Sequence, residues 1–292
     1  MKEYKLVPPP LKIYNEFLME FETLKGLEKW VRKKGIEVRM LTIQEFLTSN
    51  EGNINLLFEG SVERFLYDDN WDPPLQVDGK ALLTIVGDKY ETYKKIMNGK
   101  IPTPNTFAIR GQKDLLQALE QIQTEKIVLK PRFWSYASAN VLILKKHRLL
   151  DFSIEERFNV KDFVLQEYLP STLFPSVEWR FHFVGNTLCR VIKTKDKNNW
   201  SKSFHVQNID LEQVENRYIN LAKSIAALIN PKNYPDNFTL DFLETETGLI
   251  FLEANVGTLN SMFVHDEKDF TFIEPIFEEL VNLQKNTISS PS

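Results

Sequence analysis

The tightest constraint on this chain is a pair of apolar runs, Asn237-Phe-Thr-Leu-Asp241-Phe242 and Leu249-Ile-Phe-Leu-Glu253-Ala-Asn255, joined through Glu244-Thr-Glu-Thr-Gly248. They read as two short strands, and Gly248 can supply the positive φ that a tight turn demands. An Asp, a Glu and an Asn therefore fall on neighbouring strands. Asp241 and Glu253 each end or interrupt an apolar run, where a bare carboxylate is unfavourable to bury. Hard oxygen ligands converging from adjacent strands suit Mg²⁺, which takes few carboxylates and completes its octahedron with water and phosphate. The same pattern also describes a plain hairpin with two solvent-facing acids, so the rest of the chain has to decide between them.

With 292 residues there is room for one or two domains and an ample core. A hydrophobic content of 42% and a charged content of 26% are those of an ordinary globular protein. A net charge of −4 argues against a dedicated nucleic-acid binder. Cys189 is the sole cysteine, which excludes an internal disulfide and a multi-cysteine metal site. The start, Met1-Lys-Glu-Tyr-Lys5, has no apolar h-region. No apolar run approaches the roughly 18–20 residues that cross a bilayer. A reduced, cytoplasmic setting with no membrane association is the expectation.

Along the chain, residues 1–12 read as extended and proline-rich. Phe17, Leu18, Phe21, Leu24, Leu27 and Trp30 recur at helical spacing, Gly35 stops that helix, and Ile36–Leu41 alternates like a strand. Ala81–Val86 reads as a buried strand. Asp88 caps a helix that runs to about Met97 and ends at Gly99. A rigid turn leads to a strand ending at Ile109, followed by an amphipathic helix over 112–124. Lys126–Lys130 and Val141–Leu144 pair as a hairpin, and Phe163–Leu169 is another buried strand. Val177–Phe183 and Thr187–Lys193 form a hairpin about Gly185-Asn186. A helix over 211–229 gathers Leu211, Val214, Tyr218, Leu221, Ile225 and Leu228 on one face. A last helix is expected near 272–285.

Several weak features then fall into one order: Asp88-Lys89, Gly99–Thr106, Val128-Leu-Lys130-Pro131, Val164-Leu-Gln166-Glu167-Tyr168-Leu169, Glu178-Trp-Arg180, and Asp241 with Glu253-Ala-Asn255. This order and spacing resemble the ATP-grasp superfamily, most of all its RimK-like carboxylate–amine ligases, over about residues 85–262. The resemblance implies an α+β/α/β chain whose two α+β subdomains grip ATP behind a small α/β N-terminal domain. The corresponding divisions are 1–87, a central subdomain 88–165, and a C-terminal subdomain 166–292 that carries the metal site.

The resemblance also implies roles. Lys89 and Lys130 reach the α- and β-phosphates as point charges. Gln166, Glu167, Tyr168 and Leu169 form the hinge against which the adenine lies, the Glu167 carboxylate accepting from the exocyclic amine. Glu178 meets the ribose hydroxyls. Arg180 pairs bidentately with phosphate or with the reacting carboxylate. Asp241, Glu253 and Asn255 hold two Mg²⁺ ions, or Mn²⁺ in their stead. The implied activity is an ADP-forming ligation in which ATP turns a carboxylate into an acylphosphate and an amine then attacks. Catalysis then falls to Lys130, Arg180 and the metal. The partners would be a small molecule or peptide bearing the carboxylate and an amine acceptor. A homodimer is left open.

The chain departs from the family's pattern in three stretches. Arg132–Asn140 has no glycine where a glycine-rich loop covers the triphosphate, although Ser135, Ala137, Ser138 and Ala139 are small and Arg132 could add charge. Ser201 and Ser203 stand where RimK-like ligases carry an Arg and an Asn. The stretch after the last metal ligand, Val256-Gly-Thr-Leu-Asn260, matches only partly. Two alternatives therefore stay open: a small-molecule kinase on the same fold, like the inositol-phosphate kinases, and a nucleotide-binding module without chemistry. His182 reads as a strand residue near the site, and His147 as part of a solvated turn.

Overall fold

The computed structural model describes residues 3–6, 29, 33, 37–40, 54–56, 88–132, 141–149, 163–169, 177–196, 204–231, 233 and 237–256. The expected strand at 81–86, the loop 133–140, the stretch 200–203 and the helix near 272–285 lie outside them. Of the expected helix over 15–34, Lys29 and Lys33 are described, and both are helical.

The N-terminal region contributes three short strands, β1 (Glu3–Leu6), β2 (Glu37–Met40) and β3 (Ile54–Leu56). They form a parallel sheet in the order β2-β1-β3. Parallel neighbours require crossover connections, the pattern expected of an α/β unit.

Helix α1 (Lys89–Asn98) starts where expected, because the Asp88 side chain accepts hydrogen bonds from the Tyr90 and Glu91 amides. Four antiparallel strands follow in the order β4-β7-β5-β6: β4 (Thr106–Ile109), β5 (Lys126–Pro131), β6 (Leu142–Lys145) and β7 (Phe163–Glu167). Helix α2 (Gln112–Gln121) ends short of the expected residue 124 and buries Leu115, Ala118 and Leu119 against this sheet with Ile127, Leu129 and Leu165.

The third sheet has five antiparallel strands in the order β10-β9-β8-β11-β12: β8 (Val177–Val184), β9 (Thr187–Asp196), β10 (Phe204–Ile209), β11 (Asn237–Thr245) and β12 (Gly248–Val256). Its apolar face and helix α3 (Asn216–Ile229) enclose the larger core around Phe181, Phe183, Phe238, Phe242, Phe251, Ala222, Ile225 and Ile229. Tyr93 and Ile96 of α1 pack in this same core.

Two expectations are corrected here. The apolar pattern over 211–229 breaks into a 3₁₀ turn, Leu211–Gln213, and α3, so Leu211 leaves the buried face and Leu228 lies on the solvent side, at 37% and 38% exposure. The second strand of the Gly185 hairpin also runs on to Asp196 and pairs with β10, a strand not anticipated from the sequence.

Candidate active site

The hairpin β11–β12 is in register as Asp241↔Glu253 and Thr239↔Asn255, closed by Thr245↔Gly248. Gly248 adopts φ 132°, the left-handed side of the map where a side chain is strained. The pairing contains an irregularity: Asp241 faces Glu253, but Phe242 faces Phe251, so Leu252 is an extra residue. Its effect can be read from burial. Leu249 and Phe251 point into the core, and so does Ala254, three residues on. Strict alternation from Phe251 would send Glu253 into the core. The bulge reverses the parity and turns Glu253 and Asn255 onto the face that carries Asp241.

There the three side chains meet. The Asn255 amide Nδ2 donates to Asp241 Oδ2 at 3.2 Å and to Glu253 Oε1 at 3.4 Å. Arg180, opposite Asp241 on β8, donates from Nε to Oδ1 and from Nη2 to Oδ2, both at 2.7 Å. This fork-on-fork pair is the strongest geometry open to a guanidinium. Burial raises the Asp241 pKa, Arg180 opposes it, and the nearby Glu253 charge adds to the rise. For Glu253, burial also works upward, but Lys130, Lys89, Asn255 and Arg180 together outweigh it and hold the carboxyl below its usual range.

Lys130 approaches this cluster from the four-stranded sheet and Lys89 from the start of α1; both are buried, at 7% and 9% exposure. The Lys130 Nζ donates to the Tyr93 hydroxyl at 2.7 Å and lies 4.9 Å from the ring centre. Burial pulls the Lys130 pKa down to about 8, against the pull of Glu253 upward. The Tyr93 hydroxyl in turn donates to the Leu252 carbonyl, which belongs to the bulged residue. Burial, then the Glu253 charge, raise the Tyr93 pKa, so the phenol keeps its proton. Tyr93 thus links the lysine on one sheet to the bulge on the other. It was not singled out in the sequence, although its position four residues after Lys89 puts both on one helix face.

The remaining candidates lie around this centre. Gln166 is buried on β7, and its amide donates to Thr106 Oγ1 at 2.8 Å. At the end of β7, the Glu167 carboxylate accepts from the Gln123 amide at 3.3 Å, and the Glu167 and Tyr168 amides donate to the Asn105 and Lys126 carbonyls. The Lys126 Nζ sits 5.5 Å from the Tyr168 ring centre, and Leu169 is half-buried just beyond the strand. Glu178 is exposed on β8, two residues before Arg180 and hence on the same face. Arg132, which the sequence offered as added charge for a phosphate loop, is buried and grips Asp88 through Nε and Nη2, the latter at 2.6 Å. The Lys89 amide also donates to the Arg132 carbonyl, so this pair anchors the start of α1 to the end of β5.

The donor set fits Mg²⁺ or Mn²⁺. Two carboxylates and one amide converge on a point, and turning the Asn255 amide over would present its Oδ1 there, giving oxygen donors throughout. Among the described residues there is no group of three His, Cys, Asp or Glu that could hold a metal unaided. A site of this kind leaves coordination positions for phosphate oxygens. Also among the described residues, no helix is long and apolar enough to cross a membrane.

No protein-family model and no curated protein matches the sequence. Solved structures do match over nearly the whole chain. A D-alanine–D-alanine ligase from Bacillus anthracis complexed with ATP is similar at TM-score 0.67 and 14% identity, covering 98% of this chain and 100% of that one. The ATP-grasp ligase PsnB, solved with a minimal precursor, is similar at TM-score 0.61 and 12% identity, covering 96% and 99%. A RimK-domain ATP-grasp protein from Sphaerobacter thermophilus is similar at TM-score 0.55 and 13% identity, covering 99% and 100%. The chain has the ATP-grasp fold.

Proposed function

We propose that this protein is an ATP-dependent, ADP-forming ligase that joins a carboxylate to an amine through an acylphosphate. The observation that carries the reading is the convergence of Asp241, Glu253 and Asn255 with Arg180, Lys130 and Lys89 on one polar sheet face. Cations and acids balanced around a point with open coordination positions are what a triphosphate and its metal require. The ligases of the same fold, one solved with ATP and one with a peptide precursor, support the same assignment.

In this reading Asp241, Glu253 and Asn255 hold Mg²⁺, which would neutralise charge on the β- and γ-phosphates. Lys130 and Lys89 bind the phosphates, with Tyr93 fixing the Lys130 ammonium. Arg180 orients Asp241 and offers its outer edge to the transferred phosphoryl group. Gln166, Glu167, Tyr168 and Leu169 border the adenine and Glu178 the ribose. The divisions 1–87, 88–165 and 166–292, a cytoplasmic setting, a small-molecule or peptide carboxylate, and an amine acceptor belong to the same proposal.

Product analysis tests it. Mg·ATP incubated with carboxylates and amines should release ADP and phosphate only when both partners are present. ADP without free phosphate would mean a kinase, and binding without release of either would leave a module without chemistry.

A further inference from the structure

The bulge that turns Glu253 outward has a counterpart in β9. Leu188 and Val191, three residues apart, both point into the core, because β8–β9 pairing shifts between His182/Phe183 and leaves Cys189 extra. Strict alternation from Leu188 would send Arg190 into the core. The bulge turns it instead onto the polar face, opposite His182. His182 itself sits between the core residues Phe181 and Phe183, so its imidazole is on that face too.

The row across the sheet reads Arg190, His182, Thr239, Asn255. It lies beside the row Ile192, Arg180, Asp241, Glu253, about 7 Å along the strands. This row, which shares Asn255 with the metal-type cluster, therefore carries a guanidinium, an imidazole, a hydroxyl and an amide, and no acid. His182 is 3% exposed, and its Nε2 has no hydrogen-bond partner among the described residues. A buried ring nitrogen without a partner is unfavourable enough to call for an explanation. Burial, then Arg190 and Arg180, hold the His182 pKa well below its ordinary value, so the ring is neutral and keeps one N–H to donate. Arg180 belongs to the neighbouring row, where it grips Asp241, and Arg190 is the cation of this row.

We propose that Arg190 and His182, flanked by Thr239, form a binding subsite for the carboxylate of the organic substrate, one row from the phosphate-binding cluster. A planar oxyanion matches the parallel N–H donors of a guanidinium, and the imidazole adds a further donor at its side. The subsite deepens the ligase reading and rests on it, because it holds the group to be activated beside the metal-bound phosphates.

The test is NMR of the full chain labelled at its histidines. There are 4 of these, and the His182 signal is the one lost in His182→Gln. N-acetylglycine, a minimal carboxylate, is titrated against N-acetylglycinamide, its neutral counterpart, and against inorganic phosphate, each with and without Mg·ADP. The expected result is a saturable shift of the His182 signal by N-acetylglycine alone. Arg190→Gln should weaken that titration at least about tenfold while leaving Mg·ATP affinity within about twofold, and Arg190→Lys should recover part of the loss. A His182 signal unmoved by N-acetylglycine, or moved by phosphate instead, overturns the subsite. Wild type that takes N-acetylglycine but not Mg·ATP upholds the subsite and overturns the ligase reading; the opposite pattern overturns the subsite alone.

Discussion

Arg180 and Asp241 are cross-strand neighbours locked by two parallel hydrogen bonds of 2.7 Å each. Their side chains keep 27% and 10% of their exposure, so the pair sits largely out of water. Taking one partner away from such a pair leaves a buried charge without its counterpart. Arg180→Ala should therefore lower stability by about 3 kcal/mol in metal-free buffer. Added Mg·ATP should restore part of the loss, since the cation takes over the exposed carboxylate. Urea denaturation with and without Mg·ATP measures both effects. An unchanged midpoint without metal would show that the pair is solvated and carries no such weight.

Tyr93 joins Lys130 to the Leu252 carbonyl, so its hydroxyl touches both sheets. Tyr93→Phe keeps the ring contact with Phe251, 5.8 Å between centres, and removes only the oxygen. The expected cost is about 1–3 kcal/mol, because a buried carbonyl and a buried ammonium each lose a partner. Mg·ATP affinity should fall along with it, as the Lys130 ammonium loses its anchor. A variant that loses stability but binds Mg·ATP like wild type would make Tyr93 a core tyrosine without a part in the site.

These relationships show which parts of the site the chain declares openly. Asp241, Glu253, Asn255, Arg180 and Lys130 are legible because each interrupts or closes an apolar strand, and a polar group there needs a reason; Lys89 is legible through the helix start that Asp88 marks. The turn at Gly248 is legible for the same local cause. The bulges at Leu252 and Cys189 are not legible, because an extra residue in a strand has no composition of its own and appears only in cross-strand register. Without them Glu253 and Arg190 would point into the core. The Tyr93–Lys130 contact spans 37 residues, beyond any local pattern. β10 was missed because its alternation follows a charged stretch that reads as a loop. Arg132 was read as a charge for the phosphates because sequence cannot show that Asp88 already holds it.

Lys130 gives the site a pH dependence. Its native pKa is about 8, against 10.5 unperturbed, with burial as the main cause. Between these values the unfolded chain binds more protons, so the Lys130 contribution to stability rises with pH from about 8 to 10.5. Binding runs the other way, since a neutral amine attracts no phosphate. Mg·ATP affinity should fall above pH 8, approaching about tenfold per pH unit. Lys130→Arg, whose charge persists, should flatten the profile. Identical slopes in both proteins would assign the titration to another group.

Gly248 separates fold from function. Its φ of 132° is strained for any side chain, while a Cβ there would meet nothing within 4 Å. Gly248→Ala should destabilise by about 1–2 kcal/mol through the backbone alone. The metal-type residues lie at the far end of the hairpin, so Mg·ATP affinity should stay within about twofold. Thermal denaturation and a nucleotide titration on the same sample test this. A large loss of affinity would mean that the turn controls the spacing of Asp241 and Glu253.

Glu253 is the acid on which three cations act, Lys130, Lys89 and Arg180. Glu253→Gln preserves the shape and relieves the repulsion with Asp241, but it takes from the buried Lys130 and Lys89 the carboxylate that acts on them, so the chain should fold with lowered stability. Turnover should drop by about 10³-fold or more, because a metal-bearing carboxylate is gone. The substitution also removes the charge that holds the Lys130 pKa up, so the fall in Mg·ATP affinity should begin below the wild-type value of about 8. Two independent readouts, rate and the midpoint of the pH profile, thus report on one carboxylate. A Glu253→Gln protein that turns over normally would remove Glu253 from the metal site, and a pH midpoint that stays put would separate it electrostatically from Lys130.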